Sequence, residues 1–137
     1  MSIEGGCLCG AVRYSLTAEP IAGRVCWCRL CQKLGAGGPT VNAMFPADAL
    51  TVTGETADFP AVADSGSHMH RRFCPKCGTH LFSAAEERPH IVVVRAGSLD
   101  DPEAMKPEMT IWTEAAPGWA CFDPSIPAVP QQAPPPK

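Results

Sequence analysis

The sequence predicts a mostly β fold of antiparallel strands with short helices, followed by a Pro-rich C-terminal tail. Short extended segments are separated by glycines and prolines about every ten residues, a pattern typical of antiparallel sheet rather than of alternating strands and helices. The length of 137 residues is that of one domain. Seven of the eight cysteines fall into three short clusters, which indicates that metal ligation helps to hold the domain together.

Several segments are predicted to be strands. Residues 10–16 alternate, with Val12, Tyr14 and Leu16 on one face. Residues 90–96 are the clearest strand, because β-branched side chains fit a pleated, buried surface. The other predicted strands are residues 50–53, 71–73, 80–84 and 110–113. The helix candidates are short and comprise residues 29–33 and 101–105.

The prolines divide the chain. Six of the 15 prolines follow Ala120. Residues 1–122 are therefore expected to form the folded domain, and residues 123–137 a Pro-rich tail that buries little and is mobile and polyproline-like.

Charge and hydropathy exclude two classes of partner. With 11 basic and 14 acidic residues the net charge is −3, so no general nucleic-acid or acidic-membrane surface is expected. The first residues lack the basic and apolar pattern of a secretory signal, and the longest aliphatic run, residues 91–94, is far too short to span a bilayer. We expect a cytoplasmic protein, in which cysteines serve as metal ligands or catalytic thiols rather than in disulfides.

The cysteine clusters have the spacing of metal ligands. They are C-L-C at residues 7–9, C-W-C-R-L-C at residues 26–31 and C-P-K-C at residues 74–77. Residues i and i+2 of a strand project to one face, so the first two clusters each offer a pair that can reach one ion. In the third cluster, Gly78 is expected to adopt a positive φ that turns both thiolates to one ion. Zinc is favoured, because structural zinc sites are usually built from two such local pairs.

The number of cysteines permits more than one arrangement. A closed structural site needs four ligands, whereas a catalytic site usually has three and an open position. The symmetric division gives one zinc held by Cys7, Cys9, Cys74 and Cys77, and a second, open zinc held by Cys26, Cys28 and Cys31. The alternatives are a zinc ribbon of Cys28, Cys31, Cys74 and Cys77, or closure of the second site by Cys121.

The order of the motifs resembles one known family. Residues 5–14 (GGCLCGAVRY) resemble the opening of the glutathione-dependent formaldehyde-activating enzyme family, which also includes centromere protein V. Residues 26–33 (CWCRLCQK) resemble its second block and residues 72–82 (RFCPKCGTHLF) its third. Residues 97–102 and 111–112 resemble its closing motifs.

The resemblance implies a zinc-stapled, mostly antiparallel β-tent with two zinc ions per chain. It assigns the structural zinc to Cys7, Cys9, Cys74 and Cys77 and the catalytic zinc to Cys26, Cys28 and Cys31. The implied activity is that of a carbon–sulfur lyase, which adds a small thiol such as glutathione to a reactive carbonyl such as formaldehyde, or reverses that addition. No catalytic residue is predicted beyond the zinc ligands. The alternative is a non-catalytic zinc-binding structural or interaction module of the same fold.

Some residues near the expected pocket differ from the family or are further candidates. Family members commonly carry His at the positions of Trp27 and Thr110, which are expected at or near the pocket. Trp27, Trp112 and Trp119 are candidates for lining the pocket, with core packing as the alternative. Arg71 and Arg72 are candidates for holding an anionic substrate, with surface charge as the alternative. The histidines are scattered: His68 and His70 are expected to face solvent, and His80 to pack beside the third cluster.

Overall fold

The computed structural model describes residues 2–134 and 136. Over these residues the chain forms ten strands in two sheets, with one α-helix and three 3₁₀ turns. The strands are β1 (Ile3–Gly6), β2 (Arg13–Leu16), β3 (Ala22–Cys26), β4 (Thr40–Pro46), β5 (Leu50–Thr53), β6 (Ala57–Val62), β7 (His68–Phe73), β8 (His80–Ala85), β9 (Ile91–Arg95) and β10 (Met109–Ile111). The helix α1 is Arg29–Leu34, and the 3₁₀ turns are Ala47–Ala49, Ala96–Ser98 and Thr113–Ala115. The mostly β prediction is confirmed.

The smaller sheet has the strand order β1-β2-β5 and is antiparallel throughout. Its central strand follows the predicted alternation, because Tyr14 and Leu16 are buried while Arg13 is exposed. The strand begins later than residue 10, since Gly10 has φ +82° and the Cys7 amide donates to the Val12 carbonyl across a turn. The first cysteine pair is therefore held in the turn between β1 and β2.

The larger sheet has the order β10-β3-β4-β9-β8-β7-β6, and its pairs are antiparallel except for the parallel pair β10–β3. One face carries apolar side chains such as Phe45, Val94 and Phe82, which pack with Tyr14 and Leu16 of the smaller sheet. The opposite face is left free to carry polar groups. The core between the two sheets thus determines which face of the larger sheet is available for chemistry.

Most predicted strands are present, and the structure adds four that the sequence analysis missed. The segments predicted at 50–53, 71–73, 80–84, 90–96 and 110–113 coincide with or overlap β5, β7, β8, β9 and β10. The predicted helix at 29–33 is α1. The predicted helix at 101–105 is wrong: the segment is a turn, in which the Ala104 amide donates to the Asp101 carbonyl and the Glu103 amide to the Asp101 side chain.

The C-terminal segment is packed, which differs from the expected mobile tail. Residues 126–133 run beside β10, where Ala128 forms a parallel bridge with Thr110. Ala133 is 4% exposed, and Val129 packs on the buried cluster around the second cysteine group. Its carbonyl groups accept hydrogen bonds from backbone amides of β10 and the turn that follows. The prolines therefore do not prevent this segment from packing beside β10. The division of the chain at residue 122 stays a prediction.

Of the helices described, none combines the length and apolar character needed to cross a membrane. The cytoplasmic location stays a prediction.

Candidate metal centres

The first cysteine group joins two turns that are distant in sequence. Cys7 and Cys9 lie in the turn after β1, and Cys74 and Cys77 lie in the turn between β7 and β8. The four sulfurs lie within 4.8 Å of one another, with Sγ–Sγ distances of 3.6 Å for Cys7–Cys9 and 3.8 Å for Cys9–Cys74. Four thiolates around zinc at about 2.3 Å stand about 3.8 Å apart. The donor set and its spacing therefore fit zinc.

The local geometry of this group differs in one respect from the prediction. Cys7 and Cys9 do not occupy a strand; they belong to a turn in which the Val12 amide lies 3.2 Å from the Cys7 sulfur. The prediction for Gly78 is confirmed, since its φ is +77°. Hydrogen bonds from the Thr79 hydroxyl and amide lower the pKa of Cys77 to about 5, which favours the thiolate that a metal requires.

The second cysteine group is built where β3 passes into α1. Cys26 ends β3, Cys28 is the N-cap of α1, and Cys31 lies in the first turn of the helix, where its amide donates to the Cys28 sulfur at 3.3 Å. The three sulfurs lie within 4.8 Å of one another and all three residues are buried. The expectation that Cys26 and Cys28 share a strand is wrong, because the strand ends at Cys26 and the helix cap brings the sulfurs together.

The charges of this group favour a thiolate. Hydrogen bonds from the Cys26 and Cys28 thiols lower the pKa of Cys31 to about 3. Hydrogen bonds with Cys28 and Cys31, together with burial, raise the pKa of Cys26. Three sulfurs that share protons in this way form a donor set suited to a soft cation such as zinc.

The grouping follows the symmetric division and not the alternatives. Cys28 and Cys31 lie with Cys26, apart from the third sequence cluster, so a zinc ribbon is not formed. Cys121 is exposed and its sulfur lies 3.9 Å from the Trp119 carbonyl, outside both groups.

The second group opens into a cleft of about 140 Å³. Its floor is the polar face of the larger sheet, where the strand register aligns side chains in rows. One row runs Arg24–Asn42–Arg95 across β3, β4 and β9, and the next runs Met44–Val93–Ser83–Arg71 across β4, β9, β8 and β7. The β6–β7 hairpin contributes Ala63, Asp64 and Ser65, and the rim includes Trp112 and Gln132.

Arg95 joins the cleft floor to the neighbouring strands. Its Nε donates to His80 Nδ1 at 3.1 Å, and its Nη1 donates to Asn42 Oδ1. Burial, followed by the positive charges of Arg95 and Arg71, lowers the pKa of His80 to about 4. His80 is therefore neutral near pH 7 and acts as an acceptor that orients the guanidinium, in agreement with its predicted packing role.

The two positions that depart from the family pattern, Trp27 and Thr110, lie beside the cleft and not in its lining. Among the described residues that line the cleft, neither Trp27 nor Thr110 is found. Trp27 packs edge-on against Trp119 and Phe122, with centroid distances of 6.3 and 6.1 Å. Thr110 is 2% exposed, and its backbone pairs with the C-terminal segment. Neither residue lines the cleft, but both are next to residues that do: Trp27 lies between Cys26 and Cys28, and Thr110 precedes Ile111.

Sequence reasoning missed two arginines of the floor, Arg24 and Arg95. Arg24 precedes Cys26 by two residues on β3, so both side chains lie on one face, and that spacing was a usable signal once the strand was known. Arg95 ends the most clearly predicted strand. Of the candidates named, Arg71 lines the cleft, whereas Arg72 points away and places its guanidinium carbon 5.4 Å from the Phe82 ring centroid.

The fold and its two sulfur groups define a mostly β protein with sites suited to zinc. The family model described as "Glutathione-dependent formaldehyde-activating enzyme" matches residues 2–115, and the chain belongs to that family. A Halomonas elongata protein named "Putative glutathione-dependent formaldehyde-activating enzyme" is 33% identical over 125 residues, covering 87% of this chain and 80% of the relative.

Two further proteins are similar to this chain, one in sequence and one in fold. An Emericella nidulans protein of the same name is 29% identical over 80 residues, which cover 58% of this chain and 40% of the longer relative. A crystal structure of a Rhodobacter sphaeroides protein is similar in fold, with a TM-score of 0.57 at 19% identity, over 92% of this chain and 99% of that one.

Proposed function

We propose that the protein is a zinc-dependent carbon–sulfur lyase, which adds a small, glutathione-like thiol to a reactive carbonyl such as formaldehyde, or reverses that addition. Family membership supports glutathione-dependent formaldehyde activation as the class of function. The observation that carries the proposal is the position of the second sulfur group. Cys26, Cys28 and Cys31 line an open cleft, so a metal held by them would be accessible to a ligand from the cleft.

The two groups are assigned different roles. Cys7, Cys9, Cys74 and Cys77 supply four thiolates, which complete a tetrahedral zinc, so this site is structural. Cys26, Cys28 and Cys31 supply three, so this site is catalytic and has a position for substrate. The proposal thus requires two zinc ions per chain.

The chemistry needs a thiolate held beside an electrophile. Zinc bound at the three-sulfur site would hold the substrate thiol as a thiolate and orient it. In the addition, the sulfur forms a bond to the carbonyl carbon, the carbonyl π electrons move to oxygen, and the proton lost by the thiol ends on that oxygen. The reverse reaction breaks the carbon–sulfur bond and returns both reactants. The cleft walls contribute proximity, which is what the uncatalysed addition chiefly lacks.

Magnetisation-exchange NMR of glutathione with formaldehyde tests the activity. We expect the zinc-loaded protein to accelerate exchange between glutathione and its hydroxymethyl adduct. Cys28→Ser should lose the second zinc and the acceleration, while Cys121→Ser, which changes a cysteine outside both groups, should retain two zinc ions and full exchange. Exchange no faster than in buffer, or full exchange by Cys28→Ser, would contradict the proposal.

A further inference from the structure

The cleft carries a charge opposite to that of the protein as a whole. The chain has a net charge of −3. In the described part of the chain, however, the cleft lining contains four arginines and one carboxylate, namely Arg24, Arg71, Arg88, Arg95 and Asp64. A concave surface lined by one sign of charge attracts ligands of the other sign. The lining therefore favours an anionic ligand.

Arg71 is the side chain most in need of such a ligand. It is 7% exposed, and the described residues give its guanidinium neither a hydrogen bond nor an ion pair. Among the described residues, every fully buried side-chain nitrogen or oxygen has a hydrogen-bond partner. The unpaired nitrogens of Arg71 are therefore not fully buried, and they face the open space of the cleft that Arg71 lines. A buried charge without a counter-ion is costly, and the guanidinium fork matches a carboxylate. A ligand carboxylate would supply the missing partner.

Arg24 offers a second, separate cationic group. It is 8% exposed, and its Nη2 donates to the Pro134 carbonyl at 2.7 Å, which leaves other guanidinium donors for a ligand. It also lies on the same face of β3 as Cys26, two residues away along the strand.

The two arginines stand on opposite sides of the cleft. Arg24 is on β3 and Arg71 is on β7, which are four strand steps apart in the larger sheet. At about 4.8 Å per step this is roughly 19 Å between backbones. The cationic groups are therefore distributed along the floor of the cleft and do not belong to a single strand. Arg95 lies between them in the middle of the floor.

We propose that Arg71 binds a carboxylate of the thiol substrate and thereby selects anionic thiols. The thiol part of this inference rests on the proposed function, while the carboxylate part rests on the charges of the cleft. Arg71 acts here as a specificity-determining residue for the substrate.

Binding of an unreactive ligand tests the inference without turnover. The probe is S-methylglutathione, whose thiol is blocked and whose two carboxylates are intact, compared with its dimethyl ester by calorimetry on the zinc-loaded protein. We expect the diacid to bind at least about tenfold more tightly than the diester, since only the diacid can form charge-assisted hydrogen bonds with the guanidinium group.

Variants of neighbouring arginines provide the matched comparison. Arg71→Gln should weaken the diacid at least about tenfold and leave the diester unchanged, and Arg71→Lys should recover part of the loss. Arg72→Gln changes the adjacent arginine on the opposite face of β7 and should bind the diacid as the wild type does. If Arg71→Gln fails to fold, the diacid–diester comparison on the wild type decides.

The outcomes separate this inference from the proposed function. Equal affinity for diacid and diester, equal losses in Arg71→Gln and Arg72→Gln, or full displacement of the diacid by equimolar inorganic phosphate would overturn the inference. Diacid binding that depends on Arg71 without any thiol–formaldehyde exchange would support the carboxylate site and contradict the proposed function. Exchange that is equally fast with glutathione and glutathione diethyl ester would support the proposed function and contradict the carboxylate site.

Discussion

Tyr14 is a single residue that links the smaller sheet to the larger one. Its hydroxyl donates to Ser98 Oγ at 2.7 Å, because the Ser98 hydrogen is itself donated to the Arg95 carbonyl at 2.8 Å. Burial raises the pKa of Tyr14 to about 12, so the hydroxyl stays protonated. The ring packs edge-on against Phe82 at 5.1 Å. A Cβ at Gly5 would lie 2.3 Å from the Tyr14 oxygen, so the contact requires glycine there.

Tyr14→Phe should lower the free energy of unfolding by about 1 kcal/mol, since it removes one buried hydrogen bond but keeps the ring. Urea unfolding monitored by circular dichroism measures the change. Gly5→Ala should cost more, because the new methyl group displaces the tyrosine. An unchanged unfolding midpoint for Tyr14→Phe would mean that the hydroxyl contributes nothing to joining the sheets.

The strands β6, β7 and β8 are connected on their exposed side by His70. Its Nδ1 lies 2.6 Å from Asp58 Oδ2 and its Nε2 lies 3.0 Å from Glu86 Oε1. Hydrogen bonds with Glu86, then Asp58, raise the pKa of His70. The folded state therefore holds the proton more tightly than the unfolded state does, and the pair of carboxylates stabilises the β6 edge when the imidazole is charged.

The stability from His70 should depend on pH in a definite direction. Because the folded pKa is raised, the contribution is complete below the unfolded pKa, about 6.5, and is lost as pH rises through the folded pKa. The wild type should therefore lose more stability than His70→Gln when urea midpoints are followed from pH 5.5 to 8.5. Parallel pH profiles for the two proteins would refute this role.

The C-terminal segment acts as an additional backbone partner for β10 and the turn that follows. The amides of Thr110, Trp112 and Thr113 donate to the carbonyls of Pro127, Gln131 and Val129, and the Val129 amide returns a bond to Thr110. Trp112, at φ +60°, also donates from Nε1 to Gln132 Oε1 at 3.0 Å. The segment thus holds a cleft-lining tryptophan in a left-handed conformation that a bulky residue rarely adopts.

A chain that ends at residue 125 should lose about 2–4 kcal/mol of stability, because several backbone hydrogen bonds at about 1 kcal/mol each are removed. Hydrogen exchange gives the sharper measurement: the Thr110 amide should lose its protection while amides of β8 and β9 keep theirs. Ser125→Ala, just before the segment, is the control and should leave the Thr110 amide protected. Unchanged protection in the truncated chain would mean that the segment does not support β10.

The sequence predicted those strands and metal-ligand groups whose signal lies within a few consecutive residues. Residues 90–96 were recognisable as a strand because their β-branched side chains favour that structure in any context, and the cysteine groups were recognisable because ligand spacing is a local property. By contrast, β6 was not predicted, because most of its side chains are exposed and it contains Pro60, and proline counts against a strand in a sequence. The structure accommodates Pro60 because β6 lies at the edge of the larger sheet.

The arginine-lined cleft belongs to the part that the sequence could not reveal. Arg24, Arg71 and Arg95 are far apart along the chain. They share a surface only because the order and register of the larger sheet bring their strands onto one face. Register depends on the whole sheet and on which face the core covers. For the same reason, the sequence did not show that the Trp27 ring packs in an aromatic cluster with Trp119 and Phe122.

At the scale of the whole molecule, the two sulfur groups differ in what they connect. The four-sulfur group joins the turn after β1 to the turn between β7 and β8, so it links the smaller sheet to the larger one. Cys74 is fully buried in the core between the sheets. The three-sulfur group connects only β3 and α1, which are already adjacent in sequence. Loss of metal from the first group should therefore affect the fold far more than loss from the second.

Selective metal loss should separate the two roles. Cys74→Ser should unfold the domain, because structural zinc supplies roughly 10–16 kcal/mol of apparent folding free energy in small zinc domains. Cys28→Ser should keep the far-UV circular dichroism of the wild type with one zinc per chain instead of two. Under a graded chelator, the wild type should release one zinc with its fold intact and the second only as the β signal disappears, since the second ion holds the two sheets together. Release of both ions in one step, together with unfolding, would contradict this division between a site that maintains the fold and a site that is open to the cleft.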